Sequence, residues 1–254
     1  MSSHDDELTR FEVEGAPPLP EPAEHGRVEH NGARIWYATF GYGAPVVLLH
    51  GGLGHSGNWG YQVPALVTHG YRVIAIDTRG HGRSTRDERP FGYQLLASDV
   101  LAVLDTLGVH TASYVGWNDG AVVALTVAMR APTRACGVVF FACAMDMGGL
   151  KPLDQPLPIL SRVYRCHAQD YRRLSPTPDR FEQFSAAVEK MMKSEPNYSA
   201  EALRTITTRV FVLRSSDDEF IEPEHADYLV RTIPDARLVE LHGVSHFAPW
   251  QRPR

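Results

Sequence analysis

Cysteine is scarce in this chain: three residues in 254, Cys136, Cys143 and Cys166, scattered too widely for a disulfide framework or a zinc site. A reducing cytoplasm is therefore the expected compartment. No apolar run approaches the roughly 20 residues that span a bilayer, so no membrane partner is expected. The first residues, Met1 to Glu7, are acidic and lack the basic and apolar regions of a signal peptide. A formal net charge of -5 leaves no basic footprint, which argues against a nucleic-acid partner. No internal repeat, metal-ligand cluster or dinucleotide fingerprint is present, so no metal and no cofactor is expected. What remains is an ordinary globular composition, 43% hydrophobic and 22% charged, long enough for one large core with an inserted lid. Oligomeric state is not legible.

Residues 1–25 are rich in Pro and Glu, centred on Ala16-Pro17-Pro18-Leu19-Pro20-Glu21-Pro22, and read as an extended tail. Arg27 to His30 and Ala33 to Ala38 flank Asn31-Gly32, a hairpin signal. Pro45 to Leu49 and Arg72 to Ile76 are continuous apolar runs, as strands buried on both faces should be. Trp59 to His69 and Tyr93 to Leu107 carry helical periodicity. Further strands are expected at Ala112 to Val115, Gly137 to Phe141, Val210 to Leu213 and Arg237 to Leu241. Alternating buried strands and helices imply an α/β fold with a mostly parallel sheet. The alternation breaks at 147–208, where amphipathic pieces (Ile159 to Tyr171, Arg180 to Lys193) suggest a helical cap over the sheet's carboxyl edge. The expected core is thus 26–146 with 209–254.

Gly116-Trp117-Asn118-Asp119-Gly120 stands between a strand and the helical run Ala121 to Met129. Strand, G-x-Nuc-x-G turn and helix make a nucleophile elbow, which lifts one side chain above the sheet on a strained turn. The occupant here is an asparagine. Its amide lone pair is delocalised, so it cannot do the chemistry of serine, but among residues with a β-carbon it best tolerates φ > 0. Upstream, His50-Gly51-Gly52-Leu53-Gly54 is a glycine-rich loop. Backbone N–H groups of Gly52, Leu53 and Asp119 could form an oxyanion hole. Downstream, Ser215-Ser216-Asp217-Asp218-Glu219 follows a late strand and supplies an acid; Asp218 is the choice among three consecutive acids. His242 and His246 follow the last strand, with His246 the candidate base and His242 its rival. His50 and His81 sit in turns and read as structural.

Taken with Asp77-Thr78-Arg79-Gly80-His81-Gly82-Arg83-Ser84, these motifs resemble the α/β-hydrolase superfamily over roughly 27–252, with the order nucleophile position, acid, histidine. The flavour is similar to small-cap carboxylesterases, including the valacyclovir hydrolase-like group, whose elbow often reads Gly-Trp-Ser-Asp-Gly. That resemblance implies a small-molecule, ester-like substrate. It also implies a final helix beyond the histidine, for which the eight residues after His246 are few. Four readings of Asn118 stand open: a serine-hydrolase scaffold with its nucleophile replaced; an enzyme using His246 and Asp218 for acid–base work without a covalent intermediate, such as a lyase, cyclase or water-activating hydrolase; a binding protein without turnover; or a site in which deamidation yields an ester-forming aspartate like that of haloalkane dehalogenases.

Overall fold

In the computed structural model, which describes residues 10–11, 13–152 and 157–252, one eight-stranded sheet runs through the molecule. The strands are β1 (Glu24–His30), β2 (Ala33–Phe40), β3 (Ala44–Leu49), β4 (Tyr71–Asp77), β5 (Ala112–Trp117), β6 (Ala135–Phe141), β7 (Val210–Ser215) and β8 (Ala236–Leu241). Their spatial order is β1-β2-β4-β3-β5-β6-β7-β8, with β2 antiparallel to both β1 and β4, and β3 to β8 mutually parallel. The β1–β2 hairpin closes as the Asn-Gly signal requires: Asn31 and Gly32 both take positive φ, 44° and 74°. β3 and β4 bury both faces at Val46 to Leu49 and Val73 to Ile76, which explains their unbroken apolar runs.

Helices cover the two faces. α1 (Gln62–Thr68), α2 (Tyr93–Thr106) and α3 (Asp119–Arg130) follow β3, β4 and β5 in turn. α4 (Pro158–Leu174), α5 (Phe181–Met192) and α6 (Ala200–Arg204) fall between β6 and β7, and α7 (Pro223–Thr232) and α8 (Ala248–Gln251) flank β8. On one face Val100 and Leu104 of α2 pack with Leu125 of α3 and Leu229 of α7 over Val47, Leu49 and Ile74. On the other, Val63 of α1 and Trp250 of α8 pack over Val46, Leu48 and Val73. The arm before β1 joins that second face, with Phe11 buried and stacked on Trp250 at 3.5 Å between ring centroids.

A buried ion pair braces the end of β4. Arg79 and Asp99 are each 1% exposed in their side chains and meet through two hydrogen bonds, 2.8 and 2.7 Å, while Arg79 also donates to the carbonyls of His30 and Asn31. β3 lies beside both β4 and β5, so the strand order reverses there, and the loops after β3 and β5 open a crevice at the carboxyl edge. No helix among the described residues is long and apolar enough to cross a membrane.

Candidate active site

The turn after β5 is held by close approach. A Cβ at Gly116 would overlap the Gly120 carbonyl oxygen, and one at Gly120 would overlap the carbonyl oxygen of Leu49, so helix α3 can seat on β5 and β3 only with glycine at both places. Between them Asn118 sits at φ 54°, ψ -126°. Its backbone N–H donates to the Phe141 carbonyl at 2.9 Å and its carbonyl accepts from Ala121 at 2.8 Å, pinning the turn from both sides.

The side chains predicted from sequence converge here. His246 Nδ1 faces Asp218 at 3.1 and 3.2 Å to the two carboxylate oxygens. A proton on Nδ1 donates to that carboxylate and leaves Nε2 as an acceptor. Nε2 lies 3.2 Å from Asn118 Nδ2. Gly52 N–H donates to Asn118 Oδ1 at 3.0 Å. The two contacts fix the amide in one orientation, carbonyl toward Gly52 and NH2 toward the histidine. Asp218 and His246 are both buried. Burial alone would raise the Asp218 carboxyl; the neighbouring His246 and the N–H groups of Phe220 and Ile221 outweigh it and hold the group below its ordinary value.

Each other candidate has a definite place. Leu53 occupies the left-handed region at φ 62°, which turns the glycine-rich loop back over the sheet edge. Asp119 is the first residue of α3, where backbone N–H groups face outward. His242, the rival base, is on the surface, 3.9 Å from Glu240 and 82% exposed in its side chain. His50 accepts from Thr78 N–H at 3.1 Å, and His81 sits with its Nδ1 against the Arg79 carbonyl at 2.9 Å. Burial pulls these imidazoles down to about 4 and about 3, so both are neutral at pH 7 and brace the loops.

Several contacts carried no sequence signal. Glu219 accepts from the His246 backbone N–H at 3.0 Å, and the Trp117 indole donates to the His246 carbonyl at 2.9 Å. Phe220 sets its ring edge-on to the imidazole, 4.7 Å between centroids. Tyr93 donates to Asp119 Oδ1 at 2.7 Å, while the buried Asp119 Oδ2 has no hydrogen-bond partner among the described residues. Burial pushes the Asp119 carboxyl up to about 6, with the Tyr93 hydrogen bond and the His246 charge opposing. His55 reaches Asp170 of α4 at 3.2 Å, tying the loop after β3 to the inserted helices. Only the distance in three dimensions brings these groups together; Tyr93, Cys143, His167 and Met192 come from four separate segments.

Above Asn118 opens a cavity of about 820 Å³. Asn118, Asp119 and His246 form part of its floor, and Leu160, Tyr164 and His167 of α4 with Val188 and Met192 of α5 form part of its wall. Lys151 and Arg165 bring positive charge to the lining, Glu189 and Glu195 negative.

Comparison with known proteins agrees with this architecture. A family model described as alpha/beta hydrolase fold matches residues 44–165. Epoxide hydrolase B of Mycobacterium tuberculosis is 46% identical over 99 residues, 38% of this chain and 28% of that protein. The match therefore spans less than a third of the relative. The 2-hydroxy-6-oxononadienedioate/2-hydroxy-6-oxononatrienedioate hydrolase of Comamonas testosteroni is 26% identical over 248 residues, 86% of each chain. Among solved structures, Est816, described as an N-acyl homoserine lactone degrading enzyme, superposes with a TM-score of 0.71 at 25% identity, covering 90% of this chain and 96% of that one.

Proposed function

With the α/β-hydrolase fold as its scaffold, we propose that this chain carries a carboxylic-ester-hydrolase pocket whose nucleophile position is held by Asn118: it binds ester-like small molecules and hydrolyses them very slowly. In this reading His246 is the base, Asp218 orients it, and the backbone N–H groups of Gly52, Leu53 and Asp119 are the oxyanion donors. The helices between β6 and β7 are the cap, and 147–208 sets substrate choice.

The observation that carries the reading is the disposition of the Asn118 amide. Its Oδ1 takes up the Gly52 N–H and its Nδ2 takes up the His246 Nε2, the two interactions a serine ester hydrolase directs at its oxyanion and its nucleophile. An amide offers no attacking lone pair, so no acyl intermediate forms. Losing the nucleophile alone costs on the order of a million-fold in turnover, with roughly 10³ to 10⁴ over water left from binding and the oxyanion hole. The names of these three relatives give an epoxide, a 2-hydroxy-6-oxononadienedioate or -trienedioate and a lactone as substrates, so the ester class rests on the elbow motif and its serine counterpart. The test is Asn118→Ser assayed on short p-nitrophenyl esters. A variant that stays as inert as the parent while folded rules the reading out.

One observation favours a second reading. The Asp218–His246 pair is fully assembled and opens onto a cavity large enough for a small ligand, so acid–base catalysis without a covalent intermediate is available to it. A lyase, cyclase or water-activating hydrolase would lose all activity in His246→Ala and only part of it in Asn118→Ala. Equal losses in both would count against this alternative.

A further inference from the structure

We propose that this site acts on its own side chain, hydrolysing the Asn118 amide to a carboxylate. The substrate is the amide already seated there. Its carbonyl oxygen accepts the Gly52 N–H at 3.0 Å, where negative charge would collect if the amide carbon were attacked. Its nitrogen, the leaving group, lies 3.2 Å from His246 Nε2, and the other face of that imidazole is held by Asp218 at 3.1 and 3.2 Å. The amide therefore has an oxyanion donor on its oxygen and an oriented proton carrier on its nitrogen. Asn118 borders the 820 Å³ cavity, which gives water a path to the amide carbon.

The step balances with water as co-reactant. Water from the cavity gives a proton to His246 Nε2 while its oxygen bonds to Asn118 Cγ, and the Gly52 N–H holds the resulting oxyanion. The Cγ–Nδ2 bond then breaks, the nitrogen leaves as ammonia carrying the proton from His246, and position 118 becomes an aspartic acid that gives its carboxyl proton to the ammonia, leaving carboxylate and ammonium. Water is the better attacking group than the chain itself. The competing spontaneous route needs the Asp119 nitrogen to close a ring onto Cγ. That nitrogen opens α3, and the Asn118 backbone is pinned by Phe141 and Ala121. The product carboxylate sits in the nucleophile's register facing the cavity. There it can attack an electrophilic saturated carbon and form an ester that water reopens.

This inference uses the same residues as the ester reading but stands on the amide's own contacts, so the two fail separately. An inert Asn118→Ser variant sinks the ester reading and leaves this one intact. The experiment is peptide mass spectrometry on the purified full-length chain, incubated in neutral buffer and sampled over days. Conversion appears as a gain of one mass unit on the peptide containing Asn118, with an equal yield of ammonia. Asn31, followed by Gly32 in a turn, converts by the backbone route and serves as an internal clock independent of His246. The expected result is conversion at 118 to ordinary aspartate, slowed about a hundredfold in His246→Gln while the Asn31 clock is unchanged; Asp218→Asn gives the same readout if His246→Gln fails to fold. Three results overturn the proposal: no mass gain at 118 while Asn31 converts, conversion at the parent rate in either variant, or isoaspartate at 118 in the parent chain, which marks the backbone route and needs no variant.

Discussion

Replacing Asp119 by asparagine should stabilise the protein at neutral pH and do nothing comparable in acid. Asp119 is 5% exposed, Tyr93 supplies one hydrogen bond at 2.7 Å, and the second carboxylate oxygen has no partner among the described residues. Burial lifts its pKa from the ordinary 3.8 to about 6. Because the folded-state value is the higher one, the folded chain binds the proton more tightly than the unfolded chain between those two pH values. Stability is therefore greatest below about 3.8, falls as pH rises, and has lost the full amount above about 6. That interval corresponds to about 3 kcal/mol. The α3 N-terminus favours a negative charge by about 0.5 to 1 kcal/mol, already within the net value, but Asn118's neighbour would lose it on neutralisation together with any imperfect pairing of the new NH2. The expected gain for Asp119→Asn is thus about 2 kcal/mol at about pH 7.5 and close to zero at about pH 4. Urea unfolding of both chains at each pH measures it, since every other titrating group is common to the pair and cancels. A stability difference that is the same at both pH values would refute the reasoning, because Asp119 would then titrate like an exposed carboxyl.

Three further perturbations bear on the same framework. Tyr93→Phe strips the one hydrogen bond from Asp119 and should cost about 2 kcal/mol in urea unfolding, more at neutral pH than in acid; a pH-independent loss would separate Tyr93 from the carboxyl's ionisation. Asp99→Asn leaves the buried Arg79 guanidinium with only the more distant Asp87 carboxylate, 3.5 Å away, as counter-charge and should cost about 3 kcal/mol, read as a lower thermal midpoint. An unchanged midpoint would mean that Asp87 and the carbonyls of His30 and Asn31 carry Arg79 without Asp99. Gly120→Ala drives a Cβ into the Leu49 backbone, which no rotamer change relieves, and should destabilise by at least about 3 kcal/mol. Recovery of a folded variant with parental stability would show that α3 has slack against β3.

The elements legible from sequence are those in which local pattern and final environment agree. β3 and β4 are buried on both faces, so their apolar runs are unbroken; α2 presents a periodic face to the sheet, and α3 is apolar because it is buried nearly all round. The elbow was readable because its two glycines answer to backbone overlaps that no other residue relieves. The choice among three acids is a question of register, and sequence carries only a weak signal for it. The structure gives all three neighbours a contact: Asp217 donates its N–H to the Val244 carbonyl, Asp218 meets the imidazole and Glu219 accepts from the His246 backbone. Tyr93 was invisible because its partner lies 26 positions away, and a tyrosine opening a helix reads the same whether it packs or donates. The proline-rich arm concealed a similar long-range contact, Phe11 on Trp250. The protonation behaviour of Asp119 could not be read either, since it depends on burial that is fixed only once helix, loop and cavity wall have assembled.

The central claim is that a complete oxyanion loop, acid and base surround a position that lacks only an attacking atom. Initial rates on short p-nitrophenyl esters for the freshly purified chain and for Asn118→Ser test it most directly. The account predicts that the serine variant gains at least about a thousandfold in turnover, with the gain abolished by His246→Ala in the same background. A folded serine variant no faster than the parent would contradict it.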